Sequence, residues 1–380
     1  PTLFRFDGFY VDETANKIYI EGYNPASVTL EVSNRRKCIS FTNMLNPLTL
    51  QNLTFKRYAD AWDDIAPVQI GKPGEGLGTV TLDNVTVTQM AHRGWFTRQI
   101  DSLNISDCDF SENGYQNIVS HVIGGSTWTN ITANNMSFRA KWAYEDESSD
   151  LDQTGWASGN KISDSRDITI DTMTGNGGTV GLWLDYRVTE FEIISGTFNT
   201  NTLAGILCEK VANITITDCT LLNNQADPQS SFFWTSQLLL SAAGNVTVRG
   251  STIIGCSDTT GSAGYCIGST SNPSSTFTRY EEGTSITASY ENINLSSYNG
   301  NIPFLYDDTY RLLRTTSAIT AADMLTWVWV ADFVAPDSDP FRVNGTDYNL
   351  SGFAALCSST TGSELQTTSA ALTPARSDPC

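Results

Sequence analysis

Lys161, Asp185 and Glu209 recur at intervals of 24 residues, each closing a short segment: ASGNK, GLWLD and GILCE. If those segments are strands stacked in register, the three side chains form a column with about 4.8 Å between neighbours. Alternation sends Leu184 and Cys208 to one side of the strands and Trp183, Asp185, Leu207 and Glu209 to the other. Gly159 falls in the row of Trp183 and leaves room beside the indole. Two carboxylates about 5 Å apart match the spacing of retaining glycosidases. Their repulsion raises one pKa while the lysine keeps the other ionised. A lysine beside carboxylates also suits proton abstraction in a lyase, and the outward Trp183 is a platform for a sugar ring. The same residues would equally serve as a charge ladder, Lys161 neutralising Asp185 and Glu209 accepting backbone N–H groups at a turn.

Other chemistry-bearing groups are sparse. The acidic run Glu145, Asp146, Glu147, Asp150 and Asp152 offers hard oxygen ligands that could hold Ca²⁺, but its spacing matches no established calcium loop, so a solvated loop overhanging the column is expected instead. No other metal or cofactor is indicated. The only histidines, His92 and His121, read as turn or surface residues and give little support for a Ser-His-Asp triad or a histidine metal site. Asn201 and Asn224, with Asn113 further down, read as a turn ladder of stacked amides.

The elements that must position the column are repeats. LTLQNLTF, VTLDNVTV, LNISDCDF, ITANNMSF, ITIDTMTG, FEIISGTF, ITITDCTL and VTVRGSTI begin at Leu48, Val80, Leu103, Ile131, Ile168, Phe191, Ile214 and Val246. The shortest interval, 23 residues, occurs three times, and the others read as that length plus an insertion. Apolar residues at the first, third, sixth and eighth places alternate with Thr, Asn, Asp and Ser, and the phase breaks once, so one strand turns into another. A third strand follows at GLWLDY and GILCEK. The pattern predicts an all-β chain: a right-handed parallel β-helix over 46–300, with an irregular cap or first coil at 1–45 and a C-terminal cap or interface at 301–380. A last degenerate coil is expected near Ile286, after a Ser/Gly-rich loop from Ser257 to Thr278. A short helix is expected beyond it, capped by Ser317 or Thr320 with Asp323 in its first turn.

Forty-one acidic against 22 basic residues give a net charge of −19, which disfavours nucleic acid and repels anionic polysaccharide unless basic groups gather locally. No segment is long and apolar enough to enter a membrane. The first residue is Pro, so the chain reads as a processed protein or a segment of a longer one. Eight cysteines without a CxxC pair fit disulfides and an extracellular or cell-surface setting. Cys256–Cys266 and Cys357–Cys380 are the expected bridges, while Cys108 and Cys219 fall at inward positions as buried thiols. Asn-x-Ser/Thr sequons at Asn52, Asn84, Asn104, Asn130, Asn135, Asn213, Asn245, Asn294, Asn344 and Asn349 are candidate glycosylation sites, although the repeat itself favours Asn-apolar-Thr.

From Leu48 to Cys256 the chain resembles the secreted right-handed β-helix repeat proteins. The resemblance is carried by WASGNK, GLWLD, GILCE, ITITDCTLLNN and LLLSAAGNVTVRGSTI. It implies the fold, and an activity ranging from polysaccharide lyase or hydrolase to none. The paired Asp motifs and Gly-His-Gly of the polygalacturonase branch are absent, and the basic groove of the pectate-lyase branch is not apparent, Lys161 standing nearly alone. These features favour a glycosylated extracellular scaffold, filament subunit or glycan binder whose partners are carbohydrate or other copies of the chain, assembled head to tail. The competing expectation is an enzyme cleaving polysaccharide at Lys161, Asp185 and Glu209.

Overall fold

The computed structural model describes residues 9–12, 17–20, 38–41, 47–58, 66–71, 77–90, 92–135, 159–224, 236–257, 263–269, 274–278, 285–296, 304–306, 313–314, 319–330, 333–334, 341–357 and 359–360. Residues 1–34 form one compact unit and 35–380 another. In the first, Phe9–Asp12 pairs antiparallel with Lys17–Ile20. The second is a solenoid in which each strand pairs in parallel with the equivalent strand of the next coil.

The register corrects one repeat. Leu48, Val80, Leu103, Ser126, Ile168, Phe191, Ile214 and Val246 are successive partners on face one. The fourth copy therefore starts at Ser126, not Ile131. Ile131 is the partner of Cys108 and Met173, one strand further on. The segment ITANNMSF mimics the frame because its apolar residues fall at the same places, while the true first position holds a serine. That Ser126 accepts a hydrogen bond from Leu103 N at 2.9 Å.

Face two follows after a one-residue corner. The corner residues Asn52, Asn84, Asp107, Asn130, Thr172, Ser195, Asp218 and Gly250 all have positive φ, between 51 and 62°. Asn and Asp tolerate this region because their short polar side chains bond locally, and Asn84 Nδ2 donates to Asn52 Oδ1 at 2.7 Å. The next residue points into the core, and the one after it points out as an unbroken column: Thr54, Thr86, Asp109, Thr132, Thr174, Thr197, Thr220 and Thr252. The Asn-apolar-Thr pattern thus has a backbone cause at Asn52, Asn84 and Asn130. A second corner places Asn213 and Asn245 likewise, with Asn245 Nδ2 donating to Asn213 Oδ1 at 2.9 Å.

Face three runs through 39–41, 68–70, 95–98, 118–121, 160–163, 182–185, 206–209, 238–241 and 267–269. The core between the faces is filled by buried side chains such as Trp95, Trp128, Ile170, Leu184 and Ile214. The expected amide ladder is present, Asn201 Nδ2 donating to Asn224 Oδ1 at 2.9 Å.

Parallel pairing begins at Ile39–Phe41, in the stretch expected as a cap or first irregular coil, and continues to Ser359–Thr360, so coils extend beyond the expected boundary of 300. Ile286 lies in an antiparallel hairpin outside the coils, and the coil strand is Asn294–Ser296. The Ser/Gly-rich stretch before it carries a coil strand of its own, Ala263–Ser269. Beyond residue 290 the coil strands shorten to two or three residues, so too few apolar residues remain to set a phase. The helix Ala321–Met324 starts as expected, Thr320 and Asp323 forming a reciprocal capping box.

Candidate functional site

On face three two rows of side chains point away from the core. The first runs Phe96, Val119, Lys161, Trp183, Leu207 and Leu239. The second runs Arg98, His121, Ser163, Asp185, Glu209 and Ser241. Asp185 and Glu209 are therefore neighbours on adjacent coils, as their spacing implied. Lys161 is not in their row: its register partner is Trp183, and Ser163 takes the place beside Asp185. Matching ASGNK to GLWLD by its last residue sets the strands two residues out of step, because the strand at Lys161 begins only at Asn160.

Lys161 nevertheless reaches the carboxylate. Its Nζ lies 2.9 Å from Asp185 Oδ2 and 3.6 Å from the centre of the Trp183 ring. The lysine side chain is 7% exposed and Trp183 6%, so the indole is a wall of a cation pocket rather than the open sugar platform expected. Among the described residues the exposed aromatic is Tyr186, 39% accessible, with the Arg187 guanidinium 4.6 Å and Lys210 5.9 Å from its ring. Arg187 also donates to Asp164 at 2.7 Å. These residues stand where the strand turns, Asp164, Tyr186, Arg187 and Lys210 all having positive φ.

His121, expected at a turn or on the surface, lies in a strand, second in the polar row, with Nδ1 hydrogen-bonded to Ser163 Oγ. Burial of its ring is the main cause lowering its pKa from 6.5 to about 3, with Lys161, Arg98 and Arg93 adding to it. The imidazole is thus neutral. Its neighbour Arg98 is exposed and has no ion-pair partner among the described residues. Cations from distant positions, Arg98, Lys161, Arg187 and Lys210, thus gather along this flank together with the carboxylates Asp164, Asp185 and Glu209.

Gly181, at the start of the same strands, cannot be replaced cheaply. A Cβ there would meet Gly175 O at 2.6 Å and Gly205 O at 2.7 Å. That close approach lets the Val180–Asp185 strand sit against the corner and fixes Trp183 and Asp185.

Residues 73–237 match the family model described as "Right handed beta helix region". The chain is a right-handed parallel β-helix. No curated protein sequence matches it. Among solved structures, this β-helix is similar to the Azotobacter vinelandii mannuronan C-5 epimerase AlgE6 A-module, at 13% identity and TM-score 0.51, over 83% of the chain and 75% of that protein. It is also similar to XylC, solved in complex with xylose, at 11% identity and TM-score 0.54, over 90% of the chain but only 63% of that protein. At such identities the likeness is one of fold.

The remaining expected site residues of the β-helix divide as follows. Cys108, Cys208 and Cys219 are buried free thiols, with pKa values pushed by burial to about 11, 12 and 12. Cys357 is buried, and Cys380, its expected partner, lies outside the described residues. Cys256 faces Gly264 across an antiparallel pair of strands; its side chain and that of Cys266 lie outside the described residues, so the expected bridge is untested. Glu145, Asp146, Glu147, Asp150 and Asp152 also lie outside them. Among the described residues, no group of three potential ligands could hold a metal, and no helix is long and apolar enough to cross a membrane. Asn104 accepts from Thr127 N at 3.2 Å and Asn349 caps a helix through Gly352 N at 2.8 Å. Asn135 and Asn344 have positive φ, and Asn294 lies in a strand. His92, also expected at the surface, is fully buried and stacked on Tyr115 at 4.6 Å.

Proposed function

We propose that this β-helix acts outside the cell on an acidic polysaccharide, by proton transfer at the corner formed by Arg98, His121, Ser163, Asp185 and Tyr186. The observation that carries this reading is the outward row in which His121, hydrogen-bonded to Ser163, stands beside the exposed Arg98 in a chain of net charge −19. A carbon acid next to a carboxylate is labile only when the carboxylate charge is neutralised as the proton leaves, and a fixed guanidinium does this in a partly dry site. Arg98 takes the carboxylate of the uronate residue beside His121, and Tyr186, two coils further on, supplies the exposed ring against which a later sugar of the polymer stacks. With Nδ1–H donating to Ser163 Oγ, the lone pair of His121 sits on Nε2 and removes the proton at C5. The electron pair passes into the carboxylate. It returns as C4–O4 breaks, forming the C4–C5 double bond, and the departing O4 takes the proton from His121. Lys161, locked between Asp185 and Trp183, is a fixed cation that holds Asp185 and keeps His121 neutral rather than the base itself. A bound carboxylate offsets the surrounding cations and so raises the imidazole pKa, against the larger lowering by burial. The structural relative acting on mannuronan fits a polyuronate substrate; there, returning the proton to the opposite face of C5 would invert it instead of cleaving the chain.

A second reading, hydrolysis by the Asp185–Glu209 pair, is favoured by their adjacency on neighbouring coils. One experiment separates the two. The protein is incubated with polygalacturonate, polymannuronate and neutral glycans, with ultraviolet absorbance reporting unsaturated ends and reducing-end assay reporting hydrolysis. Unsaturated product from a polyuronate, falling by at least about 100-fold in His121→Gln with the fold retained by circular dichroism, is the expected result. Reducing ends without unsaturation, surviving His121→Gln and lost in Glu209→Gln, would transfer the role to the carboxylates. No turnover of any glycan would leave the scaffold reading standing.

A further inference from the structure

Face one carries a second feature, around the corner from His121 and independent of the reaction above. An open groove of about 520 Å³ lies over its outer side. Its floor is a single outward row, Thr169, Glu192, Thr215 and Thr247, one residue per coil on four successive coils. Glu190 stands at one wall and Arg249 at the other, its guanidinium 4.0 Å from Glu192. The three threonine hydroxyls have no hydrogen-bond partner among the described residues.

Elimination narrows the ligand. The strands under the groove at 191–194 and 214–217 are paired on both sides, so no backbone edge is free to accept another strand. The apolar residues of the same strands, Phe191, Ile214 and Val246, are buried in the core, so the floor has no apolar anchor for a protein partner. Carboxylates at Asp167, Glu190 and Glu192 outnumber the one guanidinium, so a polyanion is repelled. What remains complementary is a row of acceptors, donors and small methyl faces repeating once per coil at about 4.8 Å. An extended polysaccharide presents hydroxyls at a similar rise, one sugar per coil.

We infer that this groove is a binding site for a neutral, hydroxyl-rich polysaccharide lying along the solenoid axis. Sugar hydroxyls donate to Glu192 and Glu190 and accept from Arg249, and the threonine hydroxyls bridge between them. The site anchors the protein to uncharged polymer, while the His121 corner handles a charged one.

The test is affinity electrophoresis of the whole protein in gels containing xylan, hydroxyethyl-cellulose or polygalacturonate, each with and without EDTA. Retardation by a neutral glycan, unaffected by EDTA and weakened about tenfold or more in Thr215→Val and Glu192→Gln, is expected. His121→Gln should be retarded like the parent, so loss of the corner's activity and loss of groove binding are read separately. No retardation by either neutral glycan, or retardation unchanged by both groove substitutions, overturns the inference. Retardation that disappears with EDTA and returns with Ca²⁺ overturns it too, by assigning the carboxylates to a cation.

Discussion

His121 stands among Lys161, Arg98 and Arg93 with its ring desolvated, so the folded chain takes up that proton only near pH 3. In the unfolded chain the same imidazole titrates near 6.5. Acidification therefore protonates the unfolded state first, and stability drains away between about pH 6.5 and about pH 3 before levelling off. His121→Gln removes this contribution while leaving the carboxylates unchanged. Urea unfolding of parent and variant across that window should show a flatter pH dependence for the variant; parallel curves would mean that His121 is not held neutral. Sequence spacing could reveal only half of this site. Asp185 and Glu209 were legible because GLWLD and GILCE share a frame without an intervening insertion. His121 was not, because 42 residues separate it from Ser163, its partner on the next coil, and an insertion in that coil hides the period. The exposed Tyr186 was overlooked because Trp183, two places before Asp185, obeyed the alternation better, yet alternation fixes only the side of the sheet and not what lies over it.

At the scale of the strand and its corner, the eight-coil ladder of positive-φ residues makes a test of its own. Thr172 has φ +62°, a conformation that a β-branched residue adopts only under strain. Its register equivalents include Asn52, Asn84 and Asn130, which accept that geometry. Thr172→Asn should raise stability by about 1 kcal/mol, and the converse Asn130→Thr should lower it by at least as much, since Asn130 Nδ2 also donates to Asp107 at 2.6 Å. Denaturant midpoints decide it, and a loss of stability in Thr172→Asn would show that the corner tolerates threonine without strain. The corners also explain how far the fold could be read in advance. Seven of the eight aligned segments were placed correctly because corner, inward and outward positions each demand a residue type. The eighth slipped where Ser126 occupies an inward place and bonds Leu103 N instead of packing apolar atoms. Beyond residue 290 coil strands of two or three residues carry too little alternation to announce themselves, although they pair in parallel like the rest.

A solenoid gains stability from each coil and from each interface between coils, so identical positions are worth different amounts at the end and in the middle. Leu53 and Ile131 occupy the same inward column, joined through Val85 and Cys108. Ile131 has a coil on either side and is 2% exposed, whereas Leu53, on the first full coil, is 38% exposed. Truncating Ile131 to alanine removes buried apolar surface and leaves a cavity that flat, fully paired sheets cannot collapse around, which costs about 2–4 kcal/mol. Truncating Leu53 removes contacts on one side only and opens no closed cavity, so its cost should stay below about 1 kcal/mol. Hydrogen exchange should follow the same gradient, with amides of Leu48–Lys56 opening at lower free energy than those of Arg166–Thr174. The comparison is made by denaturant unfolding of Leu53→Ala and Ile131→Ala in the whole chain, over a range of protein concentrations. Equal costs would mean that Leu53 is covered in solution. If that equality held only at high concentration, the cover would be another copy of the chain, and the head-to-tail assembly expected from the repeat would have its first support.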